Sequence, residues 1–133
     1  MPPWLFVLTV LAVASAFILY VRFRNRFTRP AALARLGNFY FFRGECDKAE
    51  KMYRKALEIS RRLGIEEGIA SGCSSLGILF RTCGNLDRAE EMHAKALETH
   101  MRLGYEASVA RDYEDLAVVY SKRGDFDKAE QIL

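Results

Sequence analysis

Glu90 and His93 stand three residues apart, the spacing by which one helix can offer a carboxylate and an imidazole to one metal ion. A carboxylate-bridged di-metal centre also needs a second such pair and two more carboxylates on facing helices. Forty residues earlier the same two positions hold Glu50 and Tyr53, so the His93 position reads as a packing slot. His100 lies two turns beyond His93, too far for joint ligation. Cys46, Cys73 and Cys83 are odd in number and contain no Cys-x-x-Cys pair, which argues against structural zinc or a disulfide framework. They read as reduced packing residues of a cytoplasmic domain. The sequence has no HExxH, GxGxxG, Walker-type loop or Ser-His-Asp arrangement. The expectation is a non-enzyme with no catalytic, cofactor or metal site and no small-molecule substrate. A metal or enzymatic centre on Glu90 and His93 is the remote alternative.

Charge is distributed unevenly along the 133 residues. All 20 Lys and Arg and all 17 Asp and Glu lie after Val21. Arg22, Arg24, Arg26 and Arg29 fall within one eight-residue stretch, and the remainder of the chain is close to neutral. The net charge of +3 therefore belongs to a short segment, which argues against nucleic-acid binding by the folded part.

Trp4 to Val21 is an uncharged run of 18 residues, eleven of them Leu, Ile, Val or Phe. As a helix it spans roughly 27 Å, close to the ~30 Å hydrocarbon core of a bilayer. Trp4 and Tyr20 mark its ends, where amphipathic aromatics prefer the headgroup level. A cleavable signal peptide is the rival reading, from the A-x-A shape of Ala14-Ser15-Ala16. No basic residue precedes the run, however, and the apolar residues continue past the would-be cleavage point. The expectation is a retained transmembrane anchor over residues 1–21, with a basic juxtamembrane segment over 22–29. The arginines place the following domain in the cytoplasm and the N-terminus outside. Topology explains them fully; contact with anionic lipid is the sharper reading. Thr9, Ala12 and Ala16 form a small-residue face on which another membrane helix could pack.

The rest of the chain repeats with a period of 40. Residues 36–70 match 76–110 at 16 of 35 positions without a gap, and residues 116–130 match 36–50 at 8 of 15. Such a period indicates stacked supersecondary units. Leu33, Leu36, Gly37 and Tyr40 recur at spacings of three and four, one face of a helix. Gly44, Gly84 and Gly124 interrupt at the same phase and predict tight turns. Asp47, Asp87 and Asp127, each followed three residues later by Glu, predict a capping-box start for a second helix. Its buried stripe is Ala49, Tyr53, Ala56 and Leu57. Arg61-Arg62-Leu63-Gly64 and Arg102-Leu103-Gly104 close it. Pro30 suits the first turn of the opening helix.

Leu36-Gly37, Tyr40, Gly44, Ala49, Tyr53 and Ala56 form a pattern that resembles the tetratricopeptide repeat (TPR), in a 40-residue variety. Leu76-Gly77, Phe80, Gly84, Ala89, His93 and Ala96 repeat it, and Leu116, Tyr120, Gly124 and Ala129 begin a third copy. The resemblance implies an all-α protein: one transmembrane helix, then a right-handed α-solenoid of about two and a half helix-turn-helix units. Their bounds are 30–69, 70–109 and a partial 110–133, within a domain of 30–133. The third unit stops inside its second helix, and the expectation is that the native chain continues.

The resemblance also implies a partner-binding inner surface lined by the first helix of each unit. By phase that surface carries Asn38, Phe41 and Phe42, then Ile78 and Arg81, then Arg111, Glu114 and Lys122. Asn38 matches the Asn of a carboxylate clamp found in some family members, but Ala34 replaces its basic residue. Adjacent Phe41 and Phe42 point about 100° apart, which leaves two readings open: at least one is partly exposed as an anchor, or both pack against the membrane-proximal helix or the juxtamembrane segment.

The expected function is a membrane-anchored protein–protein interaction module, an accessory or assembly subunit of an integral membrane complex. Its partners would be integral membrane subunits together with membrane lipid. A tethered adaptor that recruits soluble proteins through a peptide groove is the alternative. The architecture is similar to that of membrane-anchored mitochondrial import receptors and lipopolysaccharide-assembly regulators. The small size and arginine pattern favour a bacterial inner membrane.

Overall fold

The computed structural model describes the backbone of all 133 residues and every side chain except those of residues 26 and 27. The Arg26 side chain, assigned above to topology and lipid, thus lies outside the described residues. Six helices follow one another: α1 (Pro3–Phe42), α2 (Cys46–Leu63), α3 (Glu66–Thr82), α4 (Leu86–Leu103), α5 (Glu106–Arg123) and α6 (Phe126–Gln131). No strand occurs among the described residues.

The opening helix differs from expectation. Apolar run, arginines and first repeat helix are one continuous helix of 40 residues, with no break at 21 or 29. Pro30 lies in its interior instead of starting it. Proline removes one backbone donor, yet the helix continues, and Pro30 is buried against the repeats. The N-terminal part of α1 is long and apolar enough to cross a membrane, and none of that apolar window is buried in the protein.

Each helix from α2 onward packs on its chain neighbours. The backbones of the first helices also approach one another along one side, α1 with α3 and α3 with α5, whereas those of α2 and α4 stay apart and are bridged by long side chains such as Glu50 and Arg88. That asymmetry separates an inner surface of first helices from an outer one of second helices. Small residues permit the close packing: Ala49, Ala70, Ala89 and Ala96 are fully buried. Leu36 is 40% exposed where its repeat equivalent Leu76 is at 0%, because no earlier repeat covers it.

The turns form as the glycines require. Gly64 and Gly104 end α2 and α4 in the left-handed region, at φ 65° and 73°. Gly44, Gly84 and Gly124 adopt φ of 74° to 86° between the helices of a unit. The capping box does not form. The N-caps are Glu45, Asn85 and Asp125, two residues before the expected aspartates. Asn85 and Asp125 accept hydrogen bonds from the backbone N–H of Arg88 and Lys128, and Asp47, Asp87 and Asp127 sit in the first turn. The glutamates expected to close the box reach other repeats instead. Glu50 meets Arg88 at 3.1 Å, and Glu90 accepts from Arg123 at 2.7 Å and from Tyr120 at 2.8 Å.

Candidate interaction groove

The inner surface opens between α1 and α3 into a groove of about 370 Å³. Pro30, Ala31, Ala34 and Asn38 form one wall, and Gly68, Ser71, Gly72 and Ser75 the other. Tyr53, Ala56 and Ser60 of α2 make the floor. Small side chains at spacings of three and four on both helices leave the space. The buried Gly37 governs how α2 sits beneath it: a Cβ there would lie 2.6 Å from the Tyr53 ring. Tyr53 therefore slides over Gly37 and donates its phenol to Asn38 Oδ1 at 2.6 Å. Burial pushes the Tyr53 phenol pKa up.

Asn38 is thus exposed at the groove with its side-chain oxygen already engaged. Ser71 and Ser75, one turn apart, add a short row of hydroxyls. Arg35 and Glu67, both exposed, supply the only charges among the lining residues, one of each sign. Such a lining can hold backbone and small side chains of another chain by packing and neutral hydrogen bonds. It offers no nucleophile with an adjacent base.

Beyond the groove, the junction of α3, α4 and α5 buries a polar cluster. His100 Nδ1 and Asp112 Oδ2 are 2.5 Å apart, and Ser74 donates to Asp112 at 3.4 Å. Arg81 donates to Asp115 at 3.0 Å, and the Asp115 carboxylate lies 3.9 Å from His93 Nδ1. His93 is fully buried, with neither ring nitrogen hydrogen-bonded among the described residues. It packs over Gly77 as Tyr53 packs over Gly37, but Ile78 stands where Asn38 would offer an acceptor. Burial pushes the His93 pKa down, against the opposing pull of Asp115. No group of three or more His, Cys, Asp or Glu is placed to hold a metal ion among the described residues.

Family comparison reads these units directly. Residues 31–63 and 68–133 match two tetratricopeptide-repeat models. The repeats are tetratricopeptide repeats. Solved structures agree on the fold. The TPR domain of Arabidopsis FLU superposes with a TM-score of 0.75 at 20% identity, covering 80% of this chain and 90% of that one. BtubC (BKLC) from P. vanneervenii gives 0.71 at 34% identity, over 77% of this chain and 42% of that one. The chain thus spans less than half of BtubC's length. No curated protein matches it. Tetratricopeptide domains are in general non-catalytic modules that bind proteins.

Of the residues expected on the TPR inner surface, Asn38 lines the groove. Phe41 and Phe42 lie at the far end of α1, away from it: Phe41 packs on the core, and Phe42 is 84% exposed. Ile78 is half-buried, and Arg81 is paired with Asp115. Arg111, Glu114 and Lys122 are exposed on α5, outside the groove. In the apolar part of α1, Thr9 donates its hydroxyl to the Phe6 carbonyl at 2.8 Å, and Ala12 and Ala16 are exposed. Arg22, Arg24 and Arg29 are exposed beyond it.

One expectation is overturned outright. Cys46 and Cys83 are joined by a disulfide, with Cα atoms 6.8 Å apart, and only Cys73 is a free thiol. The signal lay in the helix order. Antiparallel α2 and α3 are of nearly equal length, so the residue that starts α2 meets the residue that ends α3. Cys73 is buried in the core, as expected, and burial pushes its thiol pKa up.

Proposed function

We propose that this chain is a membrane-anchored tetratricopeptide module that serves as an accessory or assembly subunit of an integral membrane complex. The observation that supports it is the continuity of α1. One helix carries the apolar run, the arginines and the first wall of the groove. A partner held in the groove therefore lies directly beside the span. Residues 1–21 cross the bilayer, 22–29 form the basic junction, and 30–133 form the repeat domain. Thr9, Ala12 and Ala16 give a partner's membrane helix a close approach. Thr9 is compatible with lipid because its hydroxyl is satisfied within the helix.

The arginines from Arg22 to Arg29 orient the repeats toward the cytoplasm and the N-terminus outside, in a bacterial inner membrane. The Cys46–Cys83 bridge favours a second reading, in which the repeats face an oxidising compartment. Alkylating intact cells before lysis separates the two. Cytoplasmic repeats yield Cys46 and Cys83 as thiols, whereas a bridge recovered from such cells reverses the orientation.

Replacing residues 4–21 with a polyleucine helix tests the subunit role. Loss of association supports packing by the span. Retained association turns the span into a tether and the protein into an adaptor for soluble partners.

A further inference from the structure

We propose that the cleft where α2 returns to the base of the span binds the phosphate of an anionic phospholipid. This rests on the reading that α1 crosses the membrane. The cleft has a volume of about 350 Å³ and is lined by Arg22, Asn25, Arg29, Ile59, Arg62 and Leu63. Arg22, Asn25 and Arg29 recur at i, i+3 and i+7, which puts them on one face of α1. Arg24 lies off that face and stacks on Tyr20, 5.9 Å from the ring centroid. Arg62 arrives from 40 residues further along the chain, brought there by the α1–α2 hairpin. Topology requires arginines next to the span; it does not require Arg62 to converge on them.

Two of the three cations have no acidic partner among the described residues. Glu58, one turn before Arg62 on α2, is ion-paired with it. Arg22 and Arg29 form no ion pair with a described residue. In the second repeat the equivalent Arg102 is ion-paired as well, with Glu66 at 3.0 Å, so Arg22 and Arg29 are what set the cleft apart. A phosphate in the cleft would compensate Arg22 and Arg29, lie within reach of Arg62 and accept from the Asn25 amide.

Position selects a lipid over free phosphate. Arg22 is the first residue after the apolar run, and Arg29 lies ~10 Å further along the axis. The headgroup layer on each side of a ~30 Å core is about 5–8 Å deep, so Arg22 falls within it and Arg29 just beyond its outer edge. Ile59 and Leu63 give the cleft an apolar floor, suited to the glycerol and upper acyl part of a lipid and useless to an inorganic ion.

The test is native mass spectrometry of the full chain in nanodiscs of mixed phosphatidylglycerol and phosphatidylcholine. The parent should retain phosphatidylglycerol selectively. Arg29→Gln and Arg62→Gln should each lower that selectivity about five-fold, with helicity unchanged by circular dichroism. Arg24→Gln removes the same charge from another face of α1 and should leave selectivity intact. Equal loss in Arg24→Gln would reveal diffuse attraction and overturn the cleft. Displacement of the lipid by inorganic phosphate would overturn the assignment to lipid. An Arg29→Gln/Arg62→Gln variant that keeps the parent's lipid selectivity would overturn the cleft as well. Carbonate extraction of native membranes separates the two levels. An extracted chain refutes the anchor, whereas an embedded chain without lipid selectivity refutes only the cleft.

Discussion

Cys83 and Arg123 stand at the same position in successive repeats, and each reaches back to the start of the preceding repeat's second helix. Cys83 does so through the disulfide to Cys46. Arg123 does so through ion pairs to Asp87 at 2.8 Å and Glu90 at 2.7 Å. One strap is covalent and the other electrostatic, at equivalent junctions of the stack. Burial works to raise the Glu90 carboxyl pKa, but hydrogen bonds from Arg123 and Tyr120 hold it below the usual range. Burial and Glu90 together push Tyr120 up to about 12.

The covalent strap closes a loop between residues 37 apart. Loop closure at that length is worth about 4 kcal/mol. Cys83→Ser should therefore destabilise the oxidised chain by about that amount and leave the reduced chain unchanged, as read by urea denaturation with and without a thiol reductant. Equal stability of variant and oxidised parent would mean that no bridge forms in solution.

His93 makes the stability of the domain depend on pH. Burial holds its folded pKa below the unfolded value of 6.5. Between those values the unfolded chain binds a proton that the folded chain does not, so stability falls as pH drops. The contribution is complete above about pH 6.5. Below about pH 4.5 the loss of Glu90's lowered pKa adds a second decline. His93→Tyr with Ile78→Asn recreates the Tyr53–Asn38 pair of the first repeat and should abolish the first decline only. Urea titrations at a series of pH values check both.

Gly77→Ala should destabilise the repeats by about 1–3 kcal/mol. Its Cβ would lie 2.7 Å from the His93 ring, which is fully buried and cannot move aside. The third repeat has Ala117 at the same position, and there the counterpart of His93 is Leu133, which carries no ring and lies beyond the end of α6. Thermal unfolding followed by circular dichroism measures the difference, and a wild-type transition in Gly77→Ala would refute the close approach.

The repeat geometry was legible because 40-residue periodicity exposes each packing slot two or three times. Tyr53, His93, Ala49 and Ala89 could be assigned to the core from that alone. The end face was less legible, since Leu36 and Leu76 are the same residue and differ only in whether a neighbour covers them. The capping box failed for a local reason: Glu50 and Glu90 are drawn to cations of the next repeat. A groove opens between first helices, and Asn38 lines it. Its floor on α2 was not foreseen, because phase on the first helices says nothing about which side chains lie beneath. The bridge is not legible in spacing along the chain, because it depends on the antiparallel pairing of α2 and α3 that brings Cys46 to Cys83.

The central claim is that the groove beside the span holds an integral membrane partner. Ala31→Arg/Ser71→Arg places two long cations in it from exposed positions and leaves the core untouched. Parent and variant are purified from native membranes in mild detergent, and co-purifying proteins are quantified by mass spectrometry. The account predicts a fixed set of membrane proteins in stoichiometric amounts with the parent, reduced on the order of tenfold or more in the variant. A parent recovered alone, or a variant that keeps the same partners, would contradict it.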